Sequence, residues 1–537
     1  MNWKSKSFGS AILLAGMAFS CRMVRANDIY IAQTAVGSAN GSSCANSYAM
    51  SYFNSSLNWN SVVGSIGPGT TVHLCGTFNA PAGADGLLQF HGGGALGNPI
   101  ALVAESGLVM QAPYWGEHGA IVANGVNNIV IDGKHAGTIQ GTANGTRLAN
   151  QAPPCGTGIV CTSAINVSNC DNCQVQNWTI ANLYVNVPPN DESPVGEGSF
   201  GIFYNAGNNI SISGNTVHDA KWCLFFGYYP LATTVNARIF GNTAYHCDHG
   251  VAVYSDDRGA ILNGLYIYGN TLYDGANWDD TANGNHHDGI HISPVQDNTS
   301  LNNAYIYNNY IYGDWGFGCN TFIYVEAGFE TITNANVFNN LLVNTSPVNT
   351  CANGLIQDWA AHNSLIANNT LIGPTTAKGQ GIITEEAGQY HSNLKNNIIT
   401  GFQNAIYVGQ ESSMPASDYN LLYNNANIAF VWGSSCCEKL AEWMSQPGAP
   451  DTHTVSGNPN LNGAYAPQAG SAALHTGTNL TSLGIGDLNS DKAGVKRPAG
   501  TCSSPGGSTC WDLGAYQSPP VGNTKPNPPA LLTIQVH

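Results

Sequence analysis

Charged side chains are scarce in this sequence, and basic ones are the scarcest. Only 9% of the residues are charged, with 16 Lys and Arg against 32 Asp and Glu, where a typical globular protein has about a quarter. Because phosphate contacts need clustered basic side chains, nucleic acid is a poor candidate partner. Disorder is not indicated either, since 11 Trp, 24 Tyr and 16 Phe supply apolar surface for a core.

Long apolar runs are also missing. One short run, residues 11–20, follows a basic start and precedes a small-residue site at Ala26, which is the pattern of a signal peptide over residues 1–26. No later segment reaches about 20 apolar residues, so we predict no membrane span. Cys21 would instead suggest a lipoprotein, although the residues before it match a lipobox poorly. We therefore expect a secreted or periplasmic protein cleaved after Ala26.

Cysteine is present in a number that favours disulfides. The chain has 15 cysteines, and removing Cys21 with the signal peptide leaves 15 − 1 = 14. An even number in an exported chain indicates disulfide bonds. The pairs expected from their spacing are Cys44–Cys75, Cys155–Cys161, Cys170–Cys173, Cys223–Cys247, Cys319–Cys351 and Cys502–Cys510.

A Gly-Asn or Asn-Asn couplet with apolar flanks recurs seven times between Ile212 and Ile398. Successive couplets are 27 to 39 residues apart. A period in that range is typical of a solenoid, whose units bury a hydrophobic face only by stacking. The couplet asparagines are Asn215, Asn242, Asn270, Asn309, Asn340, Asn369 and Asn397.

Each repeat contains short runs that alternate apolar and polar residues, such as "GVAVYSD", "GIHISP" and "FIYVEAG". Their richness in Ile, Val, Tyr and Thr predicts β-strands rather than helices. The asparagines suit the turns between strands, because Asn tolerates left-handed geometry. Stacked turns would bring these asparagines into one hydrogen-bonded column. The sequence therefore predicts an all-β fold.

The pattern divides the chain into five parts. We predict a signal peptide at 1–26, an N-terminal cap and first coils at 27–110, and the regular core at 111–415. C-terminal coils and a loop-rich cap follow at 416–517, and a proline-rich tail at 518–537.

The repeat array resembles the right-handed parallel β-helix of pectate lyases, polygalacturonases and related polysaccharide-acting proteins. The "SDYNLLY" and "KRPAG…WDLGAY" segments are similar to C-terminal parts of bacterial β-helix proteins, and the resemblance covers about residues 120–517. It implies a polysaccharide or oligosaccharide substrate. The polygalacturonase set of Asn-Thr-Asp, Gly-His-Gly and Arg-Ile-Lys is absent, as is a lyase set of Lys and Arg. The subfamily is therefore left open.

Aligning the strands by their apolar residues predicts which side chains share a face. The residues expected to point inward are Val251, Val253, Ile290, Ile292, Ile323, Val325, Leu355 and Ile382. One outward column then contains Ala252, His291, Tyr324, Ile356 and Ile383. The next contains Tyr254, Ser293, Glu326, Asp358 and Glu385. Three carboxylates stacked in consecutive coils are costly, because like charges raise one another's pKa, so we interpret the stack as functional.

Other polar and aromatic residues gather around this acidic stack. His249 is predicted to lie beside Asp288, and the longest repeat places extra loop residues directly before that strand. Aromatic faces in the loops can stack on sugar rings. The side chains expected to bind substrate are Tyr254, Asp257, Arg258, Trp278, His287, Trp315, Tyr324, Trp359 and Glu385.

The histidines raise the question of a metal. His287 and His291 are four residues apart, which spans roughly 13 Å on a strand, so zinc is not expected from this pair. Calcium bound by Asp and Glu oxygens is easier to accommodate. The sequence therefore requires no cofactor and leaves calcium possible.

Glycoside hydrolysis is the leading interpretation of the acidic stack. That reaction needs one protonated and one ionised carboxyl, about 5 Å apart in retaining enzymes and up to about 9.5 Å apart in inverting ones. Glu326 is the predicted general acid, and Asp288, Asp256 or Asp358 is the predicted partner. His291 would orient a carboxylate or bind a sugar hydroxyl.

Two alternatives remain open from the sequence. A polysaccharide lyase or uronate epimerase would use His291 with Tyr254 or Tyr324 as acid and base. Arg258, Lys221 or calcium would then neutralise the uronate. A wall-binding or adhesive solenoid would use the aromatic residues without a catalytic carboxylate pair.

Overall fold

The fold is taken from a computed structural model. It describes residues 28–60, 65–143, 162–184, 198–228, 233–255, 258–279, 286–294, 298–327, 331–346, 351, 354–374, 378–385, 392–410, 414–432, 436–446, 451–500, 502, 507 and 509–518. The predicted signal peptide and proline-rich tail therefore lie outside the described residues, apart from Ser518. Among the described residues, no helix has the length and apolar character needed to cross a bilayer.

Short β-strands form most of the regular structure. In chain order they are β1 (Asp28–Ala32), β2 (Tyr48–Ala49), β3 (Thr71–Leu74), β4 (Thr77–Asn79), β5 (Leu88–Gln89), β6 (Ile100–Ala104), β7 (Val109–Ala112), β8 (Ile121–Asn124), β9 (Ile129–Asp132), β10 (Thr138–Gly141), β11 (Thr162–Ser168), β12 (Gln174–Gln176), β13 (Thr179–Ala181), β14 (Ser199–Asn205), β15 (Ser211–Ser213), β16 (Thr216–Gly227), β17 (Thr233–Phe240) and β18 (Thr243–Ser255). They continue as β19 (Ile261–Tyr268), β20 (Thr271–Tyr273), β21 (His287–Pro294), β22 (Ser300–Tyr307), β23 (Tyr310–Gly313), β24 (Cys319–Glu326), β25 (Thr331–Phe338), β26 (Leu341–Asn344), β27 (Ile356–Trp359), β28 (Leu365–Ala367), β29 (Thr370–Ile372), β30 (Gln380–Glu385), β31 (Asn393–Lys395), β32 (Ile398–Thr400), β33 (Asn404–Val408), β34 (Ala416–Asp418), β35 (Leu421–Tyr423) and β36 (Asn427–Val431). Within the described ranges the α-helices are α1 (Met50–Phe53) and α2 (Leu440–Met444), and short 3-10 turns occur at Cys44–Asn46, Ser56–Asn58, Ala276–Trp278, Thr481–Leu483 and Gly486–Asn489.

Three stacks of parallel strands run along the molecule, and the long strands β16 and β18 each belong to both the second and the third stack. The first sheet has the order β2-β1-β3-β6-β9-β12-β15-β17-β19-β22-β25-β28-β31-β34. The second sheet follows the pairings β4-β7-β10-β13-β16-β18-β20-β23-β26-β29-β32-β35. The third sheet follows β11-β14-β16-β18-β21-β24-β27-β30-β33-β36. This architecture confirms the parallel β-helix; its right-handed sense and the predicted part boundaries stay predictions.

The third sheet carries a column of aliphatic side chains into the core. Strand pairing aligns one of them from each coil, and all are fully buried: Val251, Ile290, Ile323, Ile356, Ile382 and Ile406. The prediction that Leu355 occupies this column and that Ile356 points outward is therefore wrong by one residue. A shift of one residue turns every side chain of a strand to the other face. Asp358, predicted to point outward, is therefore buried.

The couplet asparagines form an uninterrupted hydrogen-bonded ladder, which confirms the predicted column. Oδ1 of Asn242 accepts hydrogen bonds from the backbone N–H and the side-chain amide of Asn215, both at 3.0 Å. The same pair of bonds repeats at each step up to Asn420. The residue before each couplet asparagine has a positive φ; the first of these residues is Gly214 (65°) and the last is Asn396 (58°). Gly and Asn adopt this left-handed conformation most readily, which explains why the position is Gly or Asn.

Disulfide bonds join five of the six predicted pairs. Cys44–Cys75, Cys170–Cys173, Cys223–Cys247, Cys319–Cys351 and Cys502–Cys510 are bonded. Cys155 and Cys161 lie outside the described residues. A further bond joins Cys436 to Cys437. Several disulfides in one chain are typical of proteins that function outside the reducing cytoplasm.

The irregular C-terminal segment packs against the couplet turns. Arg497 is buried and donates to Oδ1 of Asn339 and to the carbonyl of Gly514, both at 3.0 Å. The amide of Asn396 donates to the carbonyl of Thr478 at 2.8 Å. The left-handed turn residues thus tie this segment to the coils.

Candidate functional site

The main polar cluster of the third sheet comes from one short motif that occurs in consecutive coils. Asp248-His249 precedes Gly250 in β18, and His287-Asp288 precedes Gly289 in β21. The two strands pair with His249 opposite Asp288, as predicted. An acidic residue and a histidine therefore alternate both along each strand and across the pair.

The first half of this alternating arrangement is centred on Asp248, which is buried. Its carboxylate lies 2.9 Å from Nδ1 of His249, 2.5 Å from Nδ1 of His287 and 3.9 Å from Nζ of Lys221. His287 has its other nitrogen 3.2 Å from Asp279. Burial alone would lower the pKa of His287, but its bonds to Asp248 and Asp279 raise it to about 9. His287 is thus an internal cation, and the prediction that it binds substrate is wrong because no part of it is exposed.

The second half is centred on Asp288, also buried. Its Oδ2 lies 2.7 Å from Nδ1 of His286, 3.3 Å from Nε2 of His249 and 3.3 Å from Nδ1 of His291. Its Oδ1 accepts hydrogen bonds from the backbone N–H of Thr321 at 3.0 Å and the amide of Asn320 at 3.2 Å. Burial raises the pKa of Asp288, but the neighbouring imidazoles outweigh it and hold that pKa far below its usual range. These contacts favour the ionised form of Asp288, and its predicted role as the partner carboxylate stays a prediction.

His291 connects this cluster to the outer surface. Its Nδ1 lies 2.6 Å from the Tyr254 hydroxyl, and its Nε2 lies 2.9 Å from Oε2 of Glu326. Its ring stacks on Tyr324 with centroids 4.7 Å apart. Burial lowers the pKa of His291 despite the nearby carboxylates, which favours the neutral imidazole. Burial raises the pKa of Glu326, but the bond to His291 brings it below its ordinary value, which suits an ionised carboxylate better than the predicted general acid.

The predicted stack of three carboxylates is wrong. Glu326 pairs with Trp359, and Trp359 pairs with Glu385, so Trp359 takes the place assigned to Asp358. Asp358 aligns instead with Val325 and is buried. Its carboxylate accepts hydrogen bonds from the Ser392 hydroxyl and the backbone N–H of Ala361. It faces away from the cluster around His291.

We expect Asp358→Asn to stabilise the protein increasingly as the pH rises. Burial raises the pKa of Asp358 more than its hydrogen bonds lower it. The folded state therefore favours the protonated carboxyl, and stability falls as the pH climbs from about 4, the usual Asp pKa, through the raised folded-state value. The variant removes this fall, so its melting temperature relative to wild type should increase over that range. Asp28→Asn, at a 61% exposed carboxylate, is the control. Parallel curves for wild type and Asp358→Asn would contradict the assignment.

Two of the predicted sugar-stacking tryptophans are buried and offer no open face. Trp278 is 5% exposed and donates its indole N–H to the carbonyl of His246 at 2.8 Å. Trp315 is 2% exposed and packs against Phe322 in the main core. Trp359 is half-buried on the outer face, with its ring parallel to that of Tyr324 at 6.4 Å.

Three predicted residues follow β18 in the sequence. Arg258 is exposed. Asp256 and Asp257 lie outside the described residues, so their predicted roles stay predictions.

Four further residues belong to the cluster. Asp248 and His286 had no predicted role, His249 was predicted only to lie beside Asp288, and Lys221 only to neutralise a uronate. The half-exposed ring of Trp222 stacks on His249 with centroids 4.3 Å apart. An Asp/His couplet directly before a glycine occurs in two consecutive coils. This repetition in the sequence could have identified Asp248 and His249 as site residues. Ligand atoms of His249, His286, Asp288 and His291 all lie within 4.8 Å of one another, so these four could hold a metal ion.

Fold and site together define a parallel β-helix protein with a histidine–carboxylate centre on the outer face of one sheet. Comparison of the sequence with protein-family models and with curated proteins finds no match.

Several solved structures are similar in fold. The xylose complex of XylC is 10% identical over 91% of this chain and 98% of that one, with a TM-score of 0.49. Pectate lyase Pel9A is 13% identical over 91% and 96%, with a TM-score of 0.34. The GH87 alpha-1,3-glucanase catalytic unit from Streptomyces thermodiastaticus strain HF3-3 is 12% identical, with a TM-score of 0.38. That match covers 70% of this chain and 60% of the glucanase unit.

Proposed function

We propose that this protein is a carbohydrate-active enzyme that hydrolyses glycosidic bonds on the outer face of the third sheet. One observation carries the proposal: Glu326, Trp359 and Glu385 occupy a single outer column in three consecutive coils. All three are partly exposed. A sugar ring stacked on the tryptophan would thus have a carboxyl on either side.

The separation of the two glutamates suits an inverting mechanism. They are two strands apart, which is about 9.6 Å between backbones at the usual strand spacing. Inverting glycosidases keep their carboxyls about 6.5–9.5 Å apart to leave room for water. In this proposal Glu326, bonded by His291, is the base that activates the water. Glu385, bonded by the Gln357 amide at 2.9 Å, is the acid that protonates the leaving oxygen.

The surface next to this column has room for a sugar. A cleft of about 330 Å³ is lined by Trp359, Glu385, Gly409 and Gln410. Aromatic faces bind the apolar C–H faces of sugar rings, while amide and carboxylate groups fix the hydroxyls. Tyr324 is buried, and its ring stacks on both Trp359 and His291, so it connects the cleft to the histidine cluster without itself being exposed.

A lyase or epimerase is the second candidate, and one contact favours it. The Tyr254 hydroxyl lies 2.6 Å from Nδ1 of His291, an arrangement in which a neutral imidazole removes a proton and a phenol supplies one. Burial raises the pKa of Tyr254 well above its ordinary value, so the phenol would act as the acid. The cationic Lys221 is already engaged with Asp248, which leaves uronate neutralisation to another group.

A screen of neutral and uronic polysaccharides with product analysis tests the proposal. Hydrolysis releases saturated reducing ends, and we expect the product anomer to be inverted when followed by proton NMR. Unsaturated products that absorb in the ultraviolet would replace the hydrolase proposal with the lyase. Binding without any product would indicate an adhesive solenoid and reject both enzymes.

A further inference from the structure

We propose that His249, His286, Asp288 and His291 bind one divalent first-row transition metal ion, for which Zn²⁺ is the probe. The site lies where β18 and β21 pair on the third sheet. This inference goes beyond the proposed hydrolysis. Its four ligands are different side chains from the Glu326–Glu385 pair, and Glu326 enters it only by orienting His291. It would therefore stand even if that chemistry were wrong.

The spacing of the ligand atoms fits a tetrahedral ion. A tetrahedron with metal–ligand bonds of about 2.0–2.1 Å has edges of about 3.3 Å. The edges Asp288 Oδ2 to His249 Nε2, Asp288 Oδ2 to His291 Nδ1, and His249 Nε2 to His291 Nδ1 are each 3.3 Å. His286 Nδ1, 2.7 Å from the same carboxylate oxygen, supplies the fourth corner from the surface side. Three edges thus match a tetrahedron, and all four ligand atoms lie within 4.8 Å of one another.

Outer carboxylates orient two of the imidazoles for metal binding. Asp248 lies 2.9 Å from Nδ1 of His249, and Glu326 lies 2.9 Å from Nε2 of His291. A carboxylate on one ring nitrogen holds the proton there and leaves the lone pair of the other nitrogen free for a metal. The two nitrogens so left, His249 Nε2 and His291 Nδ1, are the ones that face each other at 3.3 Å. A metal ion between them would take both lone pairs, in place of the Tyr254 hydroxyl that now lies 2.6 Å from Nδ1 of His291.

Asp288 is held in the orientation that such a site needs. Its Oδ1 takes the hydrogen bonds from Thr321 and Asn320, which directs Oδ2 toward the three imidazoles. The carboxylate is fully buried, and a buried charge needs either a partner or a metal. This contrasts with Glu326 and Glu385, which reach the surface.

The donor set selects the class of metal. Imidazole nitrogen suits zinc, copper, iron and nickel, whereas calcium and magnesium prefer all-oxygen sites. The Tyr254 hydroxyl, 2.6 Å from Nδ1 of His291, adds one more oxygen at the edge of the cluster. The nitrogens come from two paired strands and the residue just before β21, and not from the His287–His291 pair whose separation argued against zinc.

Zinc binding to the full, disulfide-bonded protein is the test. The protein is stripped with a chelator and titrated with Zn²⁺ alone and with Ca²⁺ alone, and bound metal is measured by calorimetry and elemental analysis. The variant is His286→Ala, because that side chain is 47% exposed and contacts one carboxylate at 2.7 Å. His453→Ala is the matched control, since His453 is 44% exposed and lies 2.9 Å from Asp418.

We expect one equivalent of Zn²⁺ in wild type and in His453→Ala, and at least a tenfold loss of affinity in His286→Ala and in Asp288→Asn. Substituted Co²⁺ should give the visible spectrum of tetrahedral nitrogen and oxygen ligation. Unfolding curves check that each variant is folded. Stoichiometric binding that survives His286→Ala unchanged, no binding by folded wild type, or Ca²⁺ binding in place of Zn²⁺ would each overturn the proposal. Because no substrate is present, the result is independent of the proposed hydrolysis.

Discussion

Glu326→Gln and Glu385→Gln should each lower the turnover of a cleaved polysaccharide by more than about 100-fold. Loss of a positioned acid or base typically costs that much. The amide keeps the size of each side chain but cannot exchange a proton. The measurement is the rate of reducing-end release at saturating substrate, with melting curves to confirm folding.

Glu105→Gln is the matched control for the first of these variants. Glu105 is half-exposed and lies 2.7 Å from Nδ1 of His73, which is close to the pairing of Glu326 with His291. It lies far from the third-sheet column, after β6. A wild-type rate in Glu385→Gln would reject the carboxylate pair even if Glu326→Gln were inactive. An inactive Tyr254→Phe together with an active Glu385→Gln would favour elimination.

Asn309→Ala should destabilise the protein by about 3–5 kcal/mol, a large effect for one residue. Oδ1 of Asn309 accepts two hydrogen bonds from Asn270, and its amide donates to the carbonyl of Ile267 and to Oδ1 of Asn340. All these groups are buried, and each polar group left unpaired costs about 1–3 kcal/mol. Denaturant unfolding followed by circular dichroism measures the loss.

Asn302→Ala separates the buried ladder from ordinary asparagine pairing. The Asn302 amide donates to Oδ1 of Asn263 at 2.9 Å, but the pair is only partly buried on the outside of the first sheet. We expect this variant to cost less than about 1 kcal/mol, the usual value of one such bond. If Asn309→Ala were no more harmful than Asn302→Ala, the ladder would not contribute the stability assigned to it.

The period of the sequence was sufficient to predict the architecture. Couplets such as Gly241-Asn242 encode two requirements at once, a left-handed residue and a buried amide, and few residue types meet both. The same period allowed two contacts to be predicted: the pairing of His249 with Asp288 and the disulfide between Cys223 and Cys247. Periodic features are predictable because each coil repeats the same physical problem.

Register failed where the sequence offered two equivalent choices. Leu355 and Ile356 are both apolar, so either could continue the aliphatic column, and pairing with Ile323 selects Ile356. Because of this one-residue error, Asp358 was assigned to the surface although it is buried, and Trp359 was not assigned to the carboxylate column to which it belongs. The prediction for loop residues failed for another reason. The burial of Trp315 depends on its contact with Phe322 and on the chain around it, and the repeat period contains no information on either.

The sequence predicted that His249 lies beside Asp288 on paired strands, but not the contacts among the other side chains of the cluster. Spacing along one strand, as between His287 and His291, gives a distance that argues against a shared ion. The short distances run across strands instead, from His249 to His291, and involve His286, which precedes β21. A one-dimensional pattern does not contain these contacts until the strands are paired.

The ladder has a consequence for how such a chain can change. Between Asn270 and Asn309 the chain travels 39 residues, and between Asn215 and Asn242 only 27, yet both rungs close at 3.0 Å. Each asparagine pair therefore restores the alignment of its two coils, and an insertion in one coil does not shift the next coil. Loops between rungs can therefore lengthen or shorten, and so admit different molecules, while the asparagine frame keeps its alignment.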